Sequence, residues 1–367
     1  MRSVASRLPL HAVHQELGAV FAAPCGWDLP FSYGDPEAEY RAARTAAGLV
    51  DHSHVEVLEA TGRDRVAFLQ GMLTNDLKAL APGQGCRAAF LDAHGKVQAL
   101  LTVLILEDRL LLVLDGGSAE KTLQALDRFL ISEKVSFRNV SAEKVLFLVA
   151  GPKAPAVVER LTGAPPPSAP WAHAERRVGE VPVRVIAGDG ETGEAEAWLY
   201  APSAGAQALW AAALAAGRPD GLRPVGVTAL DVLRLETGVP WYGHDVDETV
   251  LLPEIPLEPY VSYTKGCYIG QEVVARIKYR GHVNRSLTGL SFDGDRVPGH
   301  GAPVEADGRG VGHVTSAVRS FALGRPIALA YVRREYLEPG TVLTVKADDR
   351  ALMARVTALP FYRRAFP

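Results

Sequence analysis

The sequence predicts an α+β fold that ends in a separate β-rich module, and three observations carry that prediction. Val97–Leu106 and Leu110–Leu114 are almost uninterrupted apolar runs, divided only by Glu107-Asp108-Arg109; runs of this length read as strands covered on both faces. Helical spacing recurs between the strands, with Leu123, Leu126 and Leu130 on one side of 119–131 and an alanine-rich stretch at Ala206–Ala216. The alternation lacks the regular βαβ rhythm of a parallel sheet. From Asn284 onward, short apolar runs are separated by Asp293-Gly294-Asp295, Asp307-Gly308-Arg309-Gly310 and Asp348-Asp349-Arg350. Evenly spaced turns of this kind suggest a small barrel or sandwich.

The intervening elements follow from local chemistry. Gly62-Arg63-Asp64 precedes the helical spacing Val66, Leu69, Leu73, and Asp64 is placed to cap that helix. Pro82-Gly83-Gln84-Gly85 turns the chain into a strand at Cys86–Leu91, and Asp92-Ala93-His94-Gly95 turns it out again. Val145–Val149 is a further buried strand, and GAPPPSAP (163–170) a surface loop. Val181–Ile186 and Ala197–Tyr200 read as strands flanking GDGETGE (188–194), an acidic turn whose charge would repel phosphate.

At 367 residues the chain holds two or three domains. Apolar residues make up 48% and charged residues 22%, enough to bury a core, so a disordered chain is excluded. Thirty-nine Lys and Arg against 42 Asp and Glu give a net charge of −3, which lacks the basic footprint of a protein that wraps nucleic acid. Cys25, Cys86 and Cys267 lie far apart with no CxxC pair, as expected of a reduced cytoplasmic chain. The first twenty residues lack the apolar core of a secretory signal, while Arg2 and Arg7 leave a mitochondrial matrix address open. The charges at 107–109 break the most apolar stretch, so no membrane partner is expected.

Two segments could carry chemistry. In KGCYIGQEVVARIKYRGHVNR (265–285), Gly266 and Gly270 bracket Cys267, and a helix should run from Gln271 to Gly281 with Glu272 in its first turn. Cys267 would then precede a helix N-terminus beside Lys265, two features that favour a thiolate; a small residue in a tight turn accounts for it as well. In VTALDVLRLETG (227–238), Thr228 and Asp231 resemble a capping box, and Leu230, Leu233 and Thr237 share a face. Arg234 flanks that face and needs an anion, either Asp231 or a ligand carboxylate. His52 and His54 point to one side of a strand, but no third metal ligand has suitable spacing, so both read as ordinary histidines and no metal is expected. No GxSxG or Walker A pattern occurs.

The segments LHAVHQELGAVF, GWDLPFSYGDP, AAGLVDHSH, FLQGMLTND, LRLETGVPWYGHD and KGCYIGQE, in that order, make the chain similar to the YgfZ family. These are folate-binding proteins related to the aminomethyltransferase (T-protein) of the glycine cleavage system. The resemblance implies two interleaved α/β folate-binding lobes over residues 1–283, a C-terminal β-barrel over 284–367, and tetrahydrofolate in a central channel. It assigns Arg234 to the folate site, with Asn75, Leu91, Val97, Ala99 and Trp198 in folate-lining segments. It makes Cys267 with Lys265 the functional centre, within a motif of Gly266, Tyr268, Gly270, Gln271 and Glu272.

The departures from the transferases concern two carboxylates. The acid that follows the glycine turn falls at Ala99 or Leu100, and Gln98 and Leu101 beside them are also non-acidic; the Glu after the acidic hairpin falls near Trp198. Proton transfer at a folate nitrogen needs an ionisable group within reach. The resemblance therefore implies a tetrahydrofolate-binding protein that supports assembly or repair of iron–sulfur clusters in client enzymes, tRNA-modifying ones included, without direct nucleic-acid contact. One cysteine cannot hold a four-ligand cluster alone. Folate-dependent aminomethyl or one-carbon transfer, and a scaffold that has lost folate, are the alternatives.

Overall fold

The computed structural model describes residues 5–23, 26–115, 117–256, 258–347 and 350–363. Arg2, Cys25 and the Asp348-Asp349 turn lie outside the described residues. Two antiparallel-dominated sheets form the body. The first has five strands in the order Gly85–Leu91, Val97–Ile105, Leu110–Leu114, Glu56–Thr61, Ser136–Asn139. The second has six, in the order His173–Val178, Val181–Ala187, Glu196–Pro202, Lys144–Ala150, Gly48–Asp51, Arg223–Pro224, the last pair parallel. Gly48–Asp51 enters the second sheet before the chain has built the first, so the two lobes exchange segments.

The apolar runs of the sequence explain the layering. One face of the first sheet packs on the helices Arg65–Met72 and Ala119–Asp127 through Leu69, Val103, Leu112 and Leu126. One face of the second packs on Ala154–Thr162 and Ala206–Gly217 through Val157, Phe147, Leu199 and Trp210. The remaining faces meet each other, with Val57, Leu104 and Leu111 opposite Leu146, Leu148 and Tyr200, and with the helix Val227–Thr237 closing one side. A strand such as Val97–Ile105 is therefore buried on both faces, as its composition requires.

The C-terminal module is a closed antiparallel barrel of Arg285–Phe292, Arg325–Arg333, Arg309–Ser320, Pro303–Ala306, Val342–Ala347 and Arg350–Thr357. Its interior holds Leu290, Val304, Val314 and Val345. Leu287, Ile327, Leu329 and Tyr331 face outward against Leu91, Val97, Leu235 and Tyr268 of the body. Polar groups clasp the same junction. Asp245 accepts from Thr315 Oγ1 and Ser316 Oγ, both at 2.6 Å, and Glu236 accepts from Ser320 Oγ at 2.6 Å and from the Ala322 amide. No helix among the described residues is long and apolar enough to cross a membrane.

Two expected caps are replaced. Asp64 precedes the helix Arg65–Met72, but its carboxylate accepts the Lys134 amide instead, 2.8 Å away. The helix Val227–Thr237 begins at Gly226 without a side-chain cap, because Asp231 is engaged by Arg234. Tertiary partners outbid the local bond in both cases.

Candidate functional site

Where the inter-sheet space meets the segment after helix Val227–Thr237, a cavity of about 520 Å³, part of it open to solvent, is lined by Arg87, Asp115, Trp171, Glu191, Trp198, Trp241 and Tyr260 among others. An apolar wall of aliphatic side chains and four aromatic ones, with a few polar groups, suits a flat organic ligand. Arg87 comes from the Gly85–Leu91 strand, Asp115 follows Leu110–Leu114, and Trp198 lies on Glu196–Pro202. Trp171 adopts a left-handed φ of 60°, rare for a bulky side chain, as it enters the His173–Val178 strand. The Trp171 and Trp198 rings are 6.2 Å apart. The Trp198 indole N–H is buried without a partner.

The acidic segment 188–196 is no plain turn. Asp189 pairs with the Arg87 guanidinium at 2.6 Å, and Arg87 also donates to Tyr260 Oη at 2.8 Å and lies over the Trp171 and Tyr260 rings. Glu191 accepts the Trp241 indole N–H at 2.8 Å. The Glu196 carboxylate accepts the amides of Gly190, Glu191 and Thr192 and the Thr192 hydroxyl. Gly193 makes this fold of the loop accessible: its φ is 78°, and a Cβ there would come within 2.6 Å of Thr237 Cγ2.

The electrostatics follow from enclosure. Burial pushes the Glu196 carboxyl up to about 7, reinforced by the Glu191 charge. Burial likewise raises Asp115 to about 6, against the lowering effect of the Tyr242 amide that it accepts at 2.9 Å. Both can therefore exchange a proton near neutral pH. His52 and His54 stack at 5.4 Å beneath Trp198, and burial holds them down to about 4 and about 3, so both are neutral imidazoles. Among the described residues no group of three His, Cys, Asp or Glu could hold a metal ion.

Of the residues expected from sequence to bind a ligand, Trp198 lies in the cavity wall. Arg234 lies behind it. Its guanidinium donates to Asp231 at 2.7 Å, Asp245 at 2.5 Å, Ser316 Oγ at 2.8 Å and the Val239 carbonyl, and it stacks 4.4 Å from the Trp241 ring. Its anions are protein carboxylates, and its contact with the cavity runs through Trp241. Ala99 faces the core beneath the first sheet, while Leu91 and Val97 pack under the barrel. The Asn75 amide donates to the Arg87 carbonyl at 2.8 Å.

The Lys265–Gly270 segment also differs from expectation. Lys265 is buried, and its ammonium donates to the carbonyls of Gln70, Leu73 and Asn75, capping the end of helix Arg65–Met72. Burial lowers its pKa to about 8. Cys267 is exposed, three residues before the Gly270 N-cap of helix Gln271–Arg280, with Tyr268 buried beside it and Glu272 in the first turn. Lys265 thus turns inward while Cys267 faces solvent. Gly270 has φ 81°, and a Cβ there would meet the Asp92 carbonyl at 2.6 Å.

Arg87, Asp115, Trp171, Glu191, Trp241 and Tyr260 were not legible as site residues. The one sequence signal was Asp115, a carboxylate ending the buried run Leu110–Leu114.

Comparison with known proteins bears on the whole chain. Residues 10–265 match the GCVT N-terminal domain family, and residues 285–363 the glycine cleavage T-protein C-terminal barrel domain. The chain is 35% identical over 360 residues to an aminomethyltransferase of Saccharopolyspora erythraea, spanning 97% of this chain and 98% of that one. It is 33% identical over 361 residues to an aminomethyltransferase of Bacillus subtilis, spanning 98% and 99%. The crystal structure of glycine cleavage system aminomethyltransferase T from Bartonella henselae is similar at a TM-score of 0.89 and 26% identity, over 99% of each chain.

Proposed function

The chain belongs to the glycine cleavage T-protein family, and on that premise we propose that it is a folate-dependent aminomethyl or one-carbon transferase with tetrahydrofolate in the central cavity. The observation that supports it most is the cavity itself, an apolar cleft with three tryptophans and a tyrosine that bears two carboxylates, Asp115 and Glu191. The named relatives, aminomethyltransferases, favour transfer over the iron–sulfur role expected from KGCYIGQE. The absence of acids at 98–101 and at 198 does not leave the cavity without them.

The residues fit the ligand. A flat pterin suits a wall of Trp171, Trp198 and Trp241, and its donor-rich edge suits a carboxylate such as Glu191. When bound, the folate supplies the nitrogens that receive the one-carbon unit. Asp115, with its carboxyl raised to about 6, holds or releases a proton at the cavity wall. Arg87 keeps Tyr260 and Asp189 in place through its two bonds. We assign the folate-binding body to residues 1–283 and the barrel to 284–367.

Anaerobic calorimetric titration with tetrahydrofolate should show saturable binding, and Trp198→Ala should weaken it about ten-fold or more, the loss of roughly 1.4 kcal/mol of stacking. Asp115→Asn should leave binding within a few-fold and slow formation of methylene-tetrahydrofolate from an aminomethyl donor by about 10²–10⁴. Absence of tetrahydrofolate binding sinks the proposal.

One observation favours a second function: Cys267 is exposed within KGCYIGQE. Support of iron–sulfur client proteins in the cytoplasm, as the resemblance to the YgfZ family implies, would use that thiol. Cys267→Ala should then fail to restore iron–sulfur enzyme activity in cells while still binding folate; full restoration removes this function.

A further inference from the structure

The space between the two sheets opens a second time. Glu59, Arg109, Lys144, Glu175, Arg184 and Tyr200 supply the polar lining of a further cavity of about 570 Å³, part of it open to solvent. Both cavities lie along one gap. Trp198 borders the first and Tyr200 the second on a single strand, and Val113 and Leu111 do the same on the facing sheet. Each pair is two residues apart and so on one face, separated by about 7 Å.

We propose that this second cavity binds a small organic anion, a single carboxylate on an apolar body, held by Arg184, Lys144 and Tyr200. The sheet register brings the polar groups together, since Glu175 pairs with Arg184 and Arg184 with Tyr200 across three neighbouring strands. Tyr200 is 8% exposed, and its hydroxyl is buried without a partner, a donor lacking an acceptor. The Arg184 side chain is 16% exposed; it bonds His173 Nδ1 at 3.0 Å and Glu175 at 3.1 Å, and Glu175 is itself two-thirds in solvent. Burial presses hardest against the Arg184 cation and the Arg109 charge adds to it, while Glu175 supports it. The Lys144 ammonium stands 5.8 Å from the Tyr200 ring.

The charges around the cavity bear on the kind of ligand it takes. Arg109, Lys144 and Arg184 face Glu59 and Glu175 across the lining, with Asp108 beside Arg109. Arg109 is engaged by Glu59 at 3.2 Å and by Asp108, and Glu59 also holds Arg138; Arg184 is paired only with the exposed Glu175, and Lys144 makes no carboxylate pair among the described residues, so these two face an incoming anion. Leu106, Leu111, Pro182, Val183, Ala201 and Pro202 form the apolar remainder of the wall. Few cations and carboxylates close by, beside an apolar wall, suit a single carboxylate on a hydrophobic body better than a polyphosphate.

The test is calorimetric titration of the full chain with sodium benzoate and with its neutral analogue benzyl alcohol. Benzoate should bind one to one, at least ten-fold tighter than benzyl alcohol. Arg184→Gln should weaken benzoate ten-fold or more and Tyr200→Phe several-fold, both leaving tetrahydrofolate affinity within two-fold. Tyr200→Phe preserves the packing and carries the comparison by itself if Arg184→Gln fails to fold. Absence of saturable benzoate binding, equal affinity for benzyl alcohol, or indifference to Tyr200→Phe would overturn the site. Competition between benzoate and tetrahydrofolate would place the ligand in the first cavity and overturn it too. Benzoate binding without tetrahydrofolate binding would remove the transferase proposal and leave this one standing.

Discussion

The loop at 188–196 and the segment at 265–270 are both short, glycine-bearing and charged, yet the chain turns them to opposite uses. The loop folds its acids inward, where Asp189 meets Arg87, Glu191 meets Trp241, and Glu196 gathers the amides of its own turn. The segment folds its cation inward as a helix cap and leaves its thiol outside. The stretch that stands out as a motif contributes mostly architecture, while the one that resembles a solvent-facing turn builds a cavity wall. A charged side chain reports its surroundings only once its partner is known.

That contrast can be broken at either end. Arg87→Met removes the cation that ties the loop to the first sheet and leaves Asp189 unpaired. Denaturant unfolding should show a loss of about 3–5 kcal/mol, the cost of stripping one partner from a buried pair; a loss below about 1 kcal/mol would mean that the loop holds itself.

Glu196 gives the loop a pH signature. Its folded carboxyl is raised to about 7 against 4.5 for the free group. The folded state therefore keeps a proton that the unfolded state releases, so this contribution is complete below about pH 4.5 and is lost as pH rises through 7, to a total of about 3 kcal/mol. Comparing stability from pH 4.5 to 8 in wild type and Glu196→Gln should show a shallower decline in the variant. An unchanged slope would move the proton to another carboxyl, Asp115 first.

At the other segment, Lys265→Met should cost about 2–3 kcal/mol, since three carbonyls lose a charged donor and water reaches them only in part. Thermal unfolding measures it, and an unaltered midpoint would show that the cap is dispensable. Cys267→Ser, at an exposed position, should change stability by less than about 0.5 kcal/mol. A larger loss would mean that the thiol is structural after all.

The strands and the barrel were legible because burial on two faces leaves continuous apolar runs, as at Val97–Ile105, and because Asp-Gly turns punctuate the barrel. The interleaving of lobes came only from family resemblance, since no local pattern says that Gly48–Asp51 pairs with Lys144–Ala150. The site was harder to read for a related reason. Arg234 needed an anion, as sequence reasoning held, and Asp231 supplies one, but Asp245 lies eleven residues on across a loop and Ser316 in the barrel, so those further partners were visible only in three dimensions. Trp171, Trp241 and Tyr260 come from separate segments, and nothing in their spacing announces one wall.

The clasp of Asp245 and Glu236 by hydroxyls of the strand Arg309–Ser320 also bears on heredity. A barrel borrowed from a cousin by recombination would have to bring Thr315, Ser316 and Ser320, or equivalent hydroxyls, in register. Without them Asp245 and Glu236 would keep their cations in the body, Arg234 and Arg44, but each would lose hydroxyl donors at a buried oxygen. The two halves match separate domain families, yet this junction couples the sequence of one to that of the other.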